Sequence, residues 1–188
     1  MPSPEIEETP PPRIAPGTRK DVGLLGWTIS WVSGRVAGTG PPNLFLTFGR
    51  HRKLFRGWLR FAGRLMPGGT FPRRETELVI IRVAHLKDCR YEFDHHVQLG
   101  AKAGVTAADV ERLLAGPEAD GWTFREQAIL RVVDAIHHDG DVNDETWAGL
   151  AAHLDDERCI ELVFLVGHYE MLATAITTLR VQPDQHRR

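Results

Sequence analysis

Cysteine is scarce: two residues, Cys89 and Cys159, in a chain of 188. So few thiols exclude a disulfide-stapled scaffold and point to a reduced, cytoplasmic protein in which any cysteine role is catalytic or redox. A surplus of one charge is also missing. The formal net charge is −2, which excludes a globally basic nucleic-acid binder. The apolar, uncharged stretch 22–34 holds thirteen residues, short of the roughly 20 that a membrane span needs. Strict period-two alternation is absent, so no strand-rich block is expected. What remains is ordinary globular composition, 42% hydrophobic and 26% charged. The length suits one domain with a sizeable core and is short for two.

Proline is unevenly spread. Six of the twelve prolines fall in the first sixteen residues, so residues 1–20 are expected to form a mobile or draped arm ahead of a single domain over 21–188. The acidic, Pro-rich leader does not suit a signal peptide. The stretch 22–34, with Leu24, Leu25, Trp27, Ile29, Trp31 and Val32, reads as a first helix packed on the core or on a neighbouring subunit. Beyond Pro41, apolar residues recur at three and four, and the breaks carry start and stop signals. An amphipathic helix is predicted over 43–66, stopping at Pro67-Gly68-Gly69. Pro72 opens another over 73–87, apolar on most sides and therefore central. Further helices are predicted from Cys89 to near Gly104, over 106–116 capped by Thr106, and over 123–138, where Thr123 and Glu126 form a capping box. Asn143 caps one ending near Leu154, and a long one over 156–180 closes the chain. The fold class is all-α, with seven or eight helices.

The densest group of reactive side chains is Asp88-Cys89-Arg90-Tyr91-Glu92-Phe93-Asp94-His95-His96. Cys89, Glu92 and His96 stand at i, i+3 and i+7, within about 60° of one another round a helix axis. Phe93, Gly100 and Ala103 share their stripe. A thiol, a carboxyl and an imidazole therefore point toward a packed interface, where polar groups are paired or functional. His95 is turned away and reads as a satisfied or exposed histidine. Cys89 starts its helix between Lys87 and Arg90, a setting that stabilises thiolate, with Asp88 and Glu92 opposing it. The alternatives are a small core hydrophobe at Cys89 and an ordinary exposed helix pair at Glu92 and His96.

From Arg74 to Ala84, then from Cys89 to His96 and through Ala103-Gly104-Val105-Thr106, the sequence resembles the core of the carboxymuconolactone decarboxylase-like family. That family shares its fold with the alkylhydroperoxidase D (AhpD) proteins. The likeness continues through Trp122 to Glu126, Trp147 and Gly167-His168-Tyr169, and spans residues 41–180. Its signature is the spacing of Glu77, Cys89 and His96. The resemblance implies an AhpD-like helical fold, a homo-oligomer (a trimer, hexamer or dimer) and an active site at these three residues. In the peroxidase branch a Cys-x-x-Cys pair reduces the hydroperoxide, with a glutamate and a histidine as proton relay. Here Glu92 stands at the second cysteine's place, so the disulfide cycle does not carry over. An oxidised Cys89 would need an external thiol, or Cys159, to resolve it.

A carboxyl in place of a thiol suits general acid–base chemistry. The expectation is a cofactor-free enzyme acting on a small organic acid, lactone or related substrate. Glu92 and His96 would be acid and base, Glu77 the relay and Cys89 a pocket residue or auxiliary nucleophile, with Tyr91, Phe93 and His168 contacting substrate. The alternatives are a Cys89-dependent hydroperoxide reductase using an external thiol, and a non-catalytic oligomeric binding protein of this fold. In an antiparallel hairpin turning near residues 87–89, Glu77 would lie about 15 Å along the axis from Cys89. It is expected to act through His96, which is much nearer.

Charge is asymmetric along the chain, with 12 Lys and Arg against 4 Asp and Glu in residues 1–74, and 11 against 21 thereafter. Such a split suggests self-association or an anionic ligand. Arg52, Arg56, Arg60 and Arg64 recur every four residues on one helix face, beside Arg50 and Lys53. The readings are a solvated face, a carboxylate-binding patch or a contact to the acidic half of another subunit. The nine histidines include no ligand-like spacing, so neither metal nor cofactor is expected. The expected partners are a small-molecule substrate and further copies of the chain, without nucleic acid or membrane.

Overall fold

The computed structural model describes residues 10–184, among which there are nine helices and no strand. In order they are α1 (Arg19–Ala37), α2 (Asn43–Phe48), α3 (Arg52–Leu65), α4 (Arg73–Leu86), α5 (Arg90–Lys102), α6 (Ala107–Ala115), α7 (Phe124–Asp139), α8 (Asp144–Ala151) and α9 (Asp156–Leu179). The all-α expectation holds, with one helix more than predicted, because the segment 43–66 is broken in two. Gly49 lies so close to its surroundings that a Cβ there would stand 2.7 Å from the Phe45 carbonyl oxygen and 2.9 Å from Val22 of α1. The chain leaves helical geometry two residues on, at His51 (φ −96°, ψ 72°), which starts α3 anew by accepting from the Leu54 amide at 3.3 Å. The other starts follow their sequence signals. Thr106, Thr123, Asn143 and Asp155 each accept a backbone N–H three residues on, satisfying donors that a helix start leaves unpaired.

Every residue from 76 to 84 of α4 is buried, and α4 packs against α5, α6, α7 and α9. Polar groups on so central a helix need partners. Arg82 donates to both Asp134 oxygens, at 2.8 and 2.6 Å, and to the Leu113 carbonyl at 2.5 Å, tying α4 to α7 and α6. Arg74 donates to Asp109 at 2.7 Å, and Arg125 to Glu75 at 2.8 Å. Val79, Ile80 and Val83 of α4 join Leu162, Leu165 and Val166 of α9 in the larger apolar cluster. Leu78 and Ile81 join Val105, Leu113 and Leu130 in a smaller one. α9 is long and apolar enough to cross a membrane by length and composition. Its Leu162, Leu165, Val166, Tyr169 and Leu172 are buried in the domain core.

Of the arm expected over 1–20, residues 1–9 lie outside the described residues, and the remainder is draped over the domain. The Arg13 amide donates to the Leu179 carbonyl at 3.0 Å and the Gly17 amide to the Leu46 carbonyl at 3.1 Å. Gln182 Nε2 donates to the Pro10 carbonyl at 3.1 Å. α1 begins at Arg19, just inside the stretch expected as arm, and is kinked at Gly23, whose φ is 76°. Its Val22 and Ser30 are buried, while Leu24, Leu25, Trp31 and Val32 stay exposed.

Candidate active site

α4 and α5 form the hairpin on which the site is built. Asp88, with a φ of 49°, lies in the turn between them. Antiparallel packing then brings Glu77 against His96, whose Nδ1 lies 2.8 Å from Glu77 Oε2. Both side chains are buried, Glu77 completely. A carboxyl this deep calls for a counter-charge, and Arg73, one turn earlier, places its guanidinium 2.6 Å from Glu77 Oε1. With Nδ1–H donated to Glu77, His96 keeps Nε2 as an acceptor. The geometry is the one the hairpin argument predicted, with Glu77 reaching His96 rather than Cys89.

His96 lines a cavity of about 290 Å³ between α3, α5 and α9, together with Tyr91 and Glu92 of α5 and His168 and Tyr169 of α9. Glu92 is 2% exposed, and neither of its carboxyl oxygens has a hydrogen-bond partner. Burial pushes its pKa up to about 8, the neighbouring Cys89 thiol opposing part of the rise, so the carboxyl keeps its proton at neutral pH. His168 is buried with Nδ1 unpartnered, and burial pushes its pKa down to about 4. Its ring stacks on Trp58 at 6.2 Å, and the Trp58 indole N–H is unpartnered too. Tyr91 donates its hydroxyl to Asp184 at 2.9 Å, and Asp184 accepts the Asn43 amide at 2.7 Å. The segment after α9 is thereby fastened to the Tyr91 edge of the cavity.

Cys89 does not line this cavity. It sits 2% exposed in the larger apolar cluster, and burial, with the Glu92 carboxyl beside it, pushes its thiol up to about 11. That reverses the thiolate stabilisation expected from the helix start and flanking cations; Arg90 is turned to solvent and pairs with Asp94. The Thr177 hydroxyl of α9 lies beside the thiol. Cys159 stands eighteen residues earlier on the same helix, about 27 Å away at 1.5 Å per residue. It therefore cannot act as the resolving thiol within one chain.

Phe93 does not contact the cavity either. α5 turns it toward α4 and α6, where it packs on the cluster of Leu78, Ile81, Val105 and Leu113. His95, read from sequence as turned away, borders the cavity and stacks on Tyr91 at 6.2 Å, and burial, with His96 near, pushes its pKa down to about 4. Helical spacing groups residues into stripes, but the crossing of α3 and α9 over α5 decides which stripe becomes the wall. Two more contributors, Arg73 and Trp58, lie outside the sequence signature. Arg73 was legible as an i, i+4 partner of Glu77; Trp58, one aromatic among several on α3, carried no local signal. Among the described residues, no three His, Cys, Asp or Glu side chains gather as a metal site.

A larger concavity of about 1420 Å³ lies between α3 and α9, and Trp58 and His168 line it as well. Phe55, Phe61, Phe164 and Met171 form apolar wall, and Arg50, Arg52 and Lys53 stand at the rim. Of the arginine stripe, Arg52 is fastened to α1 by its bond to the Asp21 carbonyl at 2.7 Å, whereas Arg56, Arg60 and Arg64 are exposed.

The arrangement of the helices is that of AhpD-like proteins. Residues 52–135 match the carboxymuconolactone decarboxylase family. That match takes in 84 of the 188 residues, and the fold is that of AhpD-like proteins. An uncharacterized peroxidase-related protein with the alkylhydroperoxidase AhpD core, from Ralstonia eutropha, superposes with a TM-score of 0.81 at 18% identity, covering 93% of each chain. An uncharacterized peroxidase-related protein from Silicibacter gives 0.79 at 13% identity, over 97% of this chain and 100% of its own. The debrominase Bmp8, solved as a cysteine-to-alanine variant with 2,3,4-tribromopyrrole, gives 0.74 at 17% identity over 90% of each chain. At such identities these likenesses speak for the fold. No curated protein is significantly similar in sequence.

Proposed function

We propose that this protein is an enzyme that carries out cofactor-free acid–base chemistry on a small organic molecule held in the cavity. His96 Nε2 is the base, Glu92 the acid and Glu77 the group that orients the imidazole. The observation that carries this reading is the contrast between the two glutamates. Glu77 is locked to Arg73 and His96, whereas Glu92 is buried, unpartnered and protonated at neutral pH. Two carboxyls in opposed environments are how one site holds a base and an acid together. In the step this supports, a substrate C–H proton passes to Nε2. The electron pair shifts toward an adjacent oxygen, and Glu92 gives that oxygen a proton. The raised pKa and burial of Cys89 favour this over hydroperoxide reduction, which needs a thiolate. The Bmp8 ligand adds small-ring substrates to those worth testing.

In the same reading the chain works in the cytoplasm as a homo-oligomer. Exposed Phe61, Val163, Phe164 and Met171 beside the α3–α9 groove, with the arginine stripe next to them, form an apolar, basic-rimmed surface. A second copy, whose chain is acidic after residue 74, complements that surface.

The catalytic reading is tested by screening lactones and enolisable ketones in D2O and following deuterium incorporation by NMR. On the substrate found, Glu92→Gln and His96→Asn should each lower kcat by about 10²–10⁴-fold, while Cys89→Ser stays within a few-fold of wild type. A Cys89→Ser loss as large as that of Glu92→Gln would overturn the assignment.

A further inference from the structure

A molecule that enters the cavity leaves water behind, so the charges waiting there decide its class. Among the described residues, no lysine or arginine lines the cavity. Arg73 pairs with Glu77 at 2.6 Å and does not reach the wall. Any positive charge on His96 is matched by Glu77 at 2.8 Å. His95 and His168 are neutral imidazoles, both pushed down to about 4 by burial. A ligand carboxylate would come to rest beside Glu92 without a counter-ion, and a buried, unpaired charge is heavily penalised.

What the wall does offer is three polar groups without partners: the Glu92 carboxyl, His168 Nδ1 and the Trp58 N–H. Glu92 and His168 are 2% and 5% exposed and line the cavity, so a ligand inside it can pair with them. Around them stand Phe45, Leu59, Met66 and Leu172. The carboxylic O–H and the indole N–H suit a carbonyl or ring oxygen, the imidazole nitrogen accepts from a hydroxyl or ring N–H, and the aromatic faces suit a ring. The volume of about 290 Å³ is about twice that of an apolar cavity of ~150 Å³ that takes up benzene. A substituted single ring or a fused pair of rings fits.

We propose that the cavity takes an uncharged ring compound bearing one or two hydrogen-bonding atoms, such as a lactone, phenol or heteroaromatic carbonyl, and rejects carboxylates. This rests on the cavity being the reaction site, and narrows its substrates: of the classes the sequence suggests, lactones fit and free organic acids do not.

The test compares 2-naphthamide with 2-naphthoate, alike in shape and different in charge, by titration calorimetry at pH 7 on the full chain. The amide should bind at least tenfold more tightly. Ala62→Leu and, separately, Leu99→Phe, which narrow the cavity from two helices, should each weaken the amide at least tenfold with the circular dichroism spectrum unchanged. Equal or tighter binding of the carboxylate, binding of neither probe, or amide binding untouched in a folded variant would overturn the proposal. Because the readout is binding without turnover, an amide that binds while every proton-exchange assay stays silent sinks the acid–base reading and leaves this one standing.

Discussion

Glu77 and Glu92 share a side chain and differ in company. The first has an ion-paired guanidinium and an imidazole, the second only apolar surroundings and a thiol. The folded-state pKa of Glu92, about 8, lies above the ordinary 4.5. Between those values the unfolded chain has released a proton that the native protein still holds. Stability therefore falls as pH rises through that window and levels off above it. Glu92→Gln removes the slope, so its stability should gain on wild type from pH 5 to pH 8 by up to ~1.4 kcal/mol per pH unit. Denaturation at a series of pH values checks this, and parallel curves would show that the carboxyl is not held neutral. Cys89 gives a second expectation. Its thiol, held up at about 11 in the core, should form sulfenic acid with hydroperoxide no faster than Cys159, read by trapping and mass spectrometry. The sequence made Glu77, Cys89, Glu92 and His96 legible as a group through spacing. It left illegible which of them meet open space, because burial at Cys89 comes from the Thr177 end of α9, 88 residues along the chain.

The helices themselves were readable where a cap or breaker marks them, as at Thr106, Thr123, Asn143 and the Pro72 start of α4. The break between α2 and α3 carries no such mark: it falls at His51, two residues after a glycine held in a close tertiary contact. Nothing local distinguishes Gly49 from a glycine inside a continuous helix; the Val22 side chain of α1 and the Phe45 carbonyl claim its missing Cβ. Gly49→Ala should therefore cost about 1–3 kcal/mol, as overpacking a close contact does, visible as a lowered Tm. An unchanged or raised Tm would mean that the α2–α3 bend is set elsewhere. Phe93 and His95 were exchanged for the same kind of reason. Their order around α5 follows from 3.6 residues per turn, but which side is wall and which is core depends on where α3 and α9 cross it.

At the size of the whole chain, the charge division between residues 1–74 and the remainder was visible in the sequence, whereas the apolar face running along α3 and α9 was not. Periodicity reports α9 as apolar all round without saying which side the core takes. If a second copy covers that face, light scattering on the purified protein should give a multiple of 21.1 kDa, and Phe164→Asp should return it to one chain. A wild type that stays at one chain mass would sink the second-copy reading. Trp58 carries a further consequence. It is the one tryptophan among five that borders both hollows, with its N–H unpartnered and its ring against His168. An indole so placed is a built-in optical probe. Filling the inner cavity gives its N–H a partner and alters the polarity around the ring, so occupancy is written into its emission, and Trp58→Phe erases that signal while the other four tryptophans continue to emit.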